Sequence, residues 1–514
     1  MPLIDLLSQN AQKHGNRTFL VVENDAHSFQ ETHDAALRFA SLLQDMGAQQ
    51  GQHVALIADN SAAYIIAWFG INAAGCVAVT LNTQIMGEGL RHSLAHSDAT
   101  IIVADAAWFE ARLVPGTAFA ELQRVEILSD ADLLNRLRPY ERAAPVAVGD
   151  GSACTLIYTS GTTGLPKGVI NSHASYLAVG RETVDMIELM PEDHCMIVLP
   201  LFHANPQMYA VMSALVVGSA LIIRRKFSAS GFFDDARRFA ATGFTFVGTI
   251  LSILAARHTG KDVDHQLRFC LGGGAPRAVW KAVEERFGVR VHELYGMTEI
   301  GGWVTANRVA DRRLGSCGRV RNDIEVRIFD TNDHEEPPGQ DGEIVVRPSE
   351  PDVILSGYYK QPDKMVEATR NLWFHTGDQG CFDADGYLYF RGRIKELIRR
   401  GGEMISPVEI ETVLRRLSGV IDCAAVGVDD DILGQEIKVV VVRETPTLSP
   451  VEITKHLAEH LPRFMHPRYV EFVQMLPKTE TEKIQRHKIA HLNDTVIDLQ
   501  GRDRKMRLRD DADR

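Results

Sequence analysis

The stretch Thr159-Ser160-Gly161-Thr162-Thr163-Gly164-Leu165-Pro166-Lys167-Gly168 follows directly on an apolar segment, Cys154–Tyr158. Glycines allow tight turns and close backbone approach, so amides and hydroxyls converge on one anion. Lys167 adds a mobile positive charge. This is phosphate-binding chemistry at the end of a buried strand, which points to an α/β fold. It is not a Walker A loop, because Gly168 follows the lysine where that motif needs Ser or Thr.

Outward from this loop, short apolar runs alternate with helical patterns. Ser28 and Glu31 have capping-box spacing ahead of Ala36, Leu37, Ala40 and Leu43. Strands are expected at 54–58, 77–81, 101–103, 125–128, 196–199, 221–223 and 267–271, with a second apolar helix near 62–74. Strand–helix alternation predicts mainly parallel sheets covered by helices on both faces. After about residue 315 the segments shorten and turn residues cluster, as at Asp383-Ala384-Asp385-Gly386. That texture predicts an antiparallel subdomain with strands at 324–329 and 343–347. Beyond Arg393 a small α+β unit is expected, with helices at 407–417 and 450–460 and strands at 424–428, 438–442 and 469–473. The tail from about residue 500 carries almost no apolar residues and is expected to fray.

A length of 514 residues implies at least two domains. The formal charge of −12 argues against general nucleic-acid binding. Seven cysteines without a CxxC pair suggest reduced thiols rather than a disulfide framework. The apolar run Met208–Ile223 is short for a bilayer span and reads as a buried helix feeding a strand. No targeting segment is visible, so a soluble, cytoplasmic protein is expected.

Six motifs in one order resemble the adenylate-forming superfamily of acyl-CoA synthetases, peptide-synthetase adenylation domains and luciferases. The first is the loop already quoted, with Thr159, Ser160, Gly161, Thr162, Thr163 and Lys167 around the phosphates. Gly273-Gly274-Ala275-Pro276 resembles the backbone that lines adenine. Leu294-Tyr295-Gly296-Met297-Thr298-Glu299 resembles the segment in which Tyr295 stacks on adenine, Thr298 approaches the α-phosphate and Glu299 holds Mg²⁺. His375-Thr376-Gly377-Asp378 offers Asp378 to the ribose hydroxyls. Gly392-Arg393-Ile394-Lys395-Glu396 resembles the hinge, with Arg393 near the ribose and Lys395 as the pivot. Pro477-Lys478-Thr479-Glu480-Thr481-Glu482-Lys483 resembles the last motif, with Lys483 as the catalytic lysine. The resemblance implies a large N-terminal domain over 1–392, a hinge at 393–396 and a mobile C-terminal domain over 397–514.

Carboxylate attack at an α-phosphorus gathers negative charge there, so cations and a metal must oppose it. Glu299 suffices as protein ligand, since Mg²⁺ keeps waters and takes one or two carboxylates. Phe202-His203 stands where amino-acid-activating members typically read Phe-Asp, so a substrate ammonium lacks its acid partner. His203 is expected to gate the acyl pocket and thiol tunnel. Around that pocket the sequence suggests Asn205, Met208, Val247, Gly248, Thr249, Gly272, Gly301, Gly302 and Trp303. Gly248, Gly301 and Gly302 are expected to make room and Trp303 to cap or flank the space. Gly401 and Gly402 are assigned to the coenzyme A tunnel. The implied reaction joins a carboxylic acid to coenzyme A using ATP and Mg²⁺, through an acyl-adenylate. A homodimer stays open. Glu482 stands where the family usually has Gly, and it places a negative charge beside Lys483. This keeps a thiolation-only ligase among the readings. A stand-alone enzyme that loads a carrier protein and a non-catalytic adenylate-binding protein also stay open.

Overall fold

Apolar runs of four to five residues, bounded by turns and helices, become the inner strands of two sheets. In the computed structural model, residues 1–85, 87–112, 122–127, 129–159, 166–400, 403–430, 433–479 and 484–499 are described. The first sheet has seven strands. Its parallel core is Ala153–Thr159, Val77–Thr80, His53–Ile57, Ile101–Asp105 and Gln123–Ile127. Lys167–Ser172 returns antiparallel along Ala153–Thr159, and Gly357–Tyr358 pairs with its outer side. The second sheet has nine strands. Thr18–Val22, Ala220–Ile223, His194–Ile197, Gly243–Val247, Phe269–Gly273 and Arg290–Met297 run parallel within it. Gly302–Ala306 folds back antiparallel on Arg290–Met297.

The helix Ala62–Ala73 touches strands of both sheets. Every one of its residues is buried, as an apolar surface all the way round requires. Its Trp68 indole N–H finds Thr155 Oγ1 at 3.0 Å, which satisfies the buried donor. The Ser28 capping box forms as the sequence predicts and starts the helix Phe29–Asp45. The run 208–223 does become buried helix and strand, with one difference. Its first turns, Asn205–Val211, are a π-helix that passes into the α-helix Met212–Val217. π-turns of this kind are frequent at functional sites.

Four strands, Ile324–Phe329, Gly342–Pro348, Phe374–Phe382 and Leu388–Arg393, make a further sheet. The C-terminal sheet centres on Gly434–Arg443, with Val420–Asp430 antiparallel and Tyr469–Val473 parallel to it. The helices Pro407–Leu414 and Pro450–His460 accompany it. The α/β class, with a small α+β C-terminal part, is therefore the fold. Internal contacts divide the chain into two units. One is Met1–Arg327 with Val345–Phe374 and Asp383–Tyr389; the other is Ile328–Ile344 with His375–Phe382 and Phe390–Arg514. All seven cysteines are free thiols. Among the described residues no helix is long and apolar enough to cross a membrane.

Candidate active site

The glycine-rich loop opens from a hairpin whose last pair is Thr159 with Lys167. Ser160, Gly161, Thr162 and Thr163 lie outside the described residues, as do Gly401, Gly402, Glu482 and Lys483. Lys167 is described, and its ammonium lies 5.0 Å from the centre of the Tyr358 ring. The Tyr358 hydroxyl donates to Glu299 Oε1 at 3.3 Å. Tyr358 thus contacts both groups that the sequence assigns to phosphate and metal, the cation over its ring face and the carboxylate at its hydroxyl. Burial, and next the Glu299 charge, push the Tyr358 phenol up, so it stays a donor. Backbone ties hold these three segments together. Leu355 N–H donates to the Glu299 carbonyl at 2.9 Å, and Tyr359 N–H to the Gly168 carbonyl at 2.8 Å.

Tyr358 was not legible as a site residue. It is 59 positions from Glu299, and only the pairing of Gly357–Tyr358 with Lys167–Ser172 brings it in. Its hydroxyl should matter modestly, because a hydrogen bond to a charged group contributes about 1.5–3 kcal/mol. Tyr358→Phe is expected to lower the adenylation rate roughly tenfold and to raise the Mg²⁺ concentration needed for half-maximal rate. Pyrophosphate exchange across a Mg²⁺ series checks this; an unchanged rate and Mg²⁺ profile count against it.

Thr298 and Glu299 sit in a single 3-10 turn, Thr298–Ile300, which ends at Gly301 with φ +64. A buried arginine that the sequence did not announce holds the next turn. Arg321 Nη1 donates to the carbonyls of Gly301 at 3.2 Å and Trp303 at 3.0 Å. Asp323 pairs with its Nε and balances the buried charge.

Tyr295 is buried on the strand Arg290–Met297. On the same strand Glu293 accepts from the N–H groups of Gly274 at 2.7 Å and Ala275 at 3.0 Å. The Gly274–Ala275 backbone is thereby tied to Glu293, two residues from Tyr295 on that strand.

His203 follows a turn in which its N–H donates to the Pro200 carbonyl at 3.1 Å, and its ring packs 4.5 Å from that of Phe202. Asn60 steadies this loop, accepting from Leu201 N–H at 2.7 Å and donating to the Leu199 carbonyl at 2.9 Å. Asn205 donates to the Phe246 carbonyl at 3.2 Å, which links it to Val247 and Gly248. The glycines expected to make room are small for another reason. A Cβ at Gly248 would collide with the Gly274 carbonyl, and one at Gly301 would sit 2.7 Å from the Val353 carbonyl; Gly272, elsewhere in the named pocket, is likewise closed off by the Phe246 carbonyl. At Gly302 it would sit 2.8 Å from Val179 Cγ2 and 3.1 Å from Tyr209 Cε1. Backbones and aromatic side chains already fill that space, with Met208 beside them.

Trp303 is fully buried in the core, and its indole N–H donates to Thr183 Oγ1 at 2.9 Å. A stability role follows from this burial. Trp303→Ala should cost about 3–5 kcal/mol of folding free energy, read by denaturant unfolding. A loss under about 1 kcal/mol with a widened acid range would return Trp303 to the pocket wall.

In the other unit, Asp378 is buried on the strand Phe374–Phe382, and Arg393 Nε lies 3.6 Å from its Oδ1. Glu343 fixes the turn ahead of it. Its two oxygens take the Gly377 N–H at 3.0 Å and His375 Nδ1 at 2.8 Å. Gly377 has φ +71, which suits glycine. Of Lys395 only the backbone is described, within the turn Ile394–Glu396.

Residues 7–359 match the AMP-binding enzyme family, and residues 409–483 match the AMP-binding enzyme C-terminal domain. The chain is 33% identical over 511 residues to a sulfoacetate–CoA ligase of Cupriavidus necator, covering 95% of this chain and 97% of that one. It is 31% identical over 497 residues to a crotonobetaine/carnitine–CoA ligase of Salmonella paratyphi A, covering 92% and 96%. Its fold is similar to the anthranilate CoA ligase AuaEII in complex with anthranoyl-AMP. That match has a TM-score of 0.87 and 26% identity, over 95% of this chain and 96% of that one. Six ordered motifs, a fold organised around them and full-length relatives agree, and the chain belongs to the AMP-binding enzymes as an AMP-forming acyl-CoA synthetase of the adenylate-forming superfamily.

Proposed function

We propose that the cluster Lys167, Tyr358 and Glu299 is the phosphate and metal end of the ATP site, that Tyr295 and Gly274–Pro276 hold the adenine, and that Asp378 and Arg393 serve the ribose. In the first half-reaction an acid oxygen attacks the α-phosphorus and the bond to pyrophosphate breaks. In the second, the coenzyme A sulfur attacks the acyl carbon, the bond to the adenylate oxygen breaks, and AMP leaves. This two-step acid–thiol ligation is the reaction of the chain. Which residues carry it is the proposal.

The observation that carries it is that one residue, Tyr358, contacts both Lys167 over its ring face and Glu299 through its hydroxyl. Glu299 fits Mg²⁺: the Tyr358 hydroxyl engages Oε1, and one carboxylate beside substrate phosphates is a usual protein share for that ion. When bound, Mg²⁺ supplies neutralising charge at the phosphates. Lys167 opposes charge on the same groups, and Thr298 approaches the α-phosphate. Lys483 acts in the first step. Residues 397–514 then rotate about Lys395, and Gly401 and Gly402 come to the pantetheine arm. Water exclusion in one pose and thiol access in the other give that rotation its purpose.

The acid is proposed to be apolar or bulky. None of the pocket residues named from the sequence is acidic, so a substrate ammonium would lose several kcal/mol on burial without a partner. A panel of acids, assayed for AMP release with coenzyme A and with holo-carrier protein as alternative acceptors, tests the reading. AMP and pyrophosphate should form with a carboxylic acid and coenzyme A, and free amino acids should be poor substrates. Release of ADP and phosphate, or efficient use of a standard amino acid, counts against it.

A further inference from the structure

We propose that Glu293 is a positioning residue for the nucleotide: its carboxylate locks the Gly274–Ala275 backbone in the orientation that receives adenine. The inference rests on the adenine reading of Gly274–Pro276 and Tyr295 given above, and it assigns a role to a residue that the motifs leave out.

Four observations carry it. Both carboxylate oxygens are engaged, one by Gly274 N–H at 2.7 Å and one by Ala275 N–H at 3.0 Å. The backbone that carries Glu293 is fixed, because Asn307 donates to the Glu293 main-chain carbonyl through its backbone N–H at 3.0 Å and its Nδ2 at 3.0 Å. Glu293 and Tyr295 are two residues apart on one strand, so they share a face, and the segment fixed by Glu293 is anchored on the face that carries the proposed stacking ring. Finally, Gly274 has φ +89, a conformation that glycine alone adopts freely. A glycine peptide can turn over, and the two bonds prevent it. Because the peptides are trans, the carbonyls of Gly273 and Gly274 face away from the carboxylate.

Glutamine does not reproduce the two contacts. Glutamine has one acceptor oxygen, and its NH₂ would oppose the second N–H. Burial pushes the Glu293 carboxyl up to about 8, with the two amides acting against that rise. Both oxygens accept fully only in the ionised form, which the two amides favour against burial. The position is also the one where open α/β sheets hold ligands, at the carboxyl end of parallel strands. Gly272 on the neighbouring strand is in register with Glu293.

The test uses the full chain and two probes, AMP and inorganic pyrophosphate, titrated calorimetrically. Glu293→Gln should weaken AMP at least tenfold and leave pyrophosphate within twofold, because only the adenosine end depends on the pinned segment. A purely structural role would weaken both together, or lower the melting temperature while leaving AMP affinity intact; either result overturns the inference. Tyr295→Ala separates the two layers. If it weakens AMP while Glu293→Gln does not, only the Glu293 role fails; if neither variant weakens AMP, the adenine reading fails with it. Should Glu293→Gln not fold, Glu293→Asp keeps the charge, shortens the reach by one methylene, and is expected to show the same split.

Discussion

Lys483→Ala is expected to abolish acyl-adenylate formation, by roughly 10³-fold or more, while thioester formation from a supplied acyl-adenylate continues near its normal rate. The reason is electrostatic and positional. Negative charge builds on the α-phosphate and the leaving pyrophosphate in the first step only, and a lysine delivered there lowers that barrier alone. In the second step the charge moves through a sulfur and an acyl carbon, and in the proposed rotated pose the lysine is elsewhere. Pyrophosphate exchange with the acid reads the first step; synthetic acyl-adenylate with coenzyme A reads the second. Equal loss in both assays would remove the two-pose account. The preceding residue sharpens the test. Glu482 replaces a usual glycine, adding a negative charge and a less permissive backbone next to Lys483. If this charge occupies the lysine, the unaltered protein exchanges pyrophosphate poorly and Glu482→Gly raises the rate. Absent exchange over a broad acid panel, with rapid thiolation of a supplied adenylate, would make this a thiolation-only ligase.

Glu299→Ala should cost roughly 10²-fold or more in adenylation, as for other lost transition-state electrostatic contacts. Two effects add. The proposed metal loses its protein carboxylate, and the Tyr358 hydroxyl loses the acceptor it meets at 3.3 Å in a largely buried position. Raising Mg²⁺ should recover part of the rate, because the remaining ligands are phosphate oxygens and water. Glu299→Asp should recover less than the charge alone suggests, since the carboxylate retreats from Tyr358 by one methylene. Full activity of Glu299→Ala at ordinary Mg²⁺ would place the metal elsewhere.

Residues close together in the chain were read correctly from the sequence, because their chemistry is local. The Ser28–Glu31 capping box, the helix Pro450–His460 and the strands Ile324–Phe329 and Tyr469–Val473 follow from spacing over fewer than a dozen residues. The six motifs are likewise short, and their order alone identified the superfamily and the reaction. What only the tertiary structure decided are the partners of those motifs. Tyr358 reaches Glu299 through strand pairing, Glu343 reaches Gly377 across 34 residues, and Arg321 gathers carbonyls from the turn after Glu299. Nothing in the spacing of an isolated Tyr, Glu or Arg distinguishes such a residue from a solvated one, because the distinction lies in what burial brings beside it. The glycines at 248, 301 and 302 show the same limit in reverse. Their small size reads as empty pocket in sequence, yet it is close backbone and side-chain approach that forbids a Cβ there. Trp303 reads as a pocket wall from its neighbours in the chain, but its strand turns it into the core, where Thr183 satisfies its indole. Sequence thus determined which chemistry this chain carries, and packing between distant segments determined which side chains hold that chemistry in place.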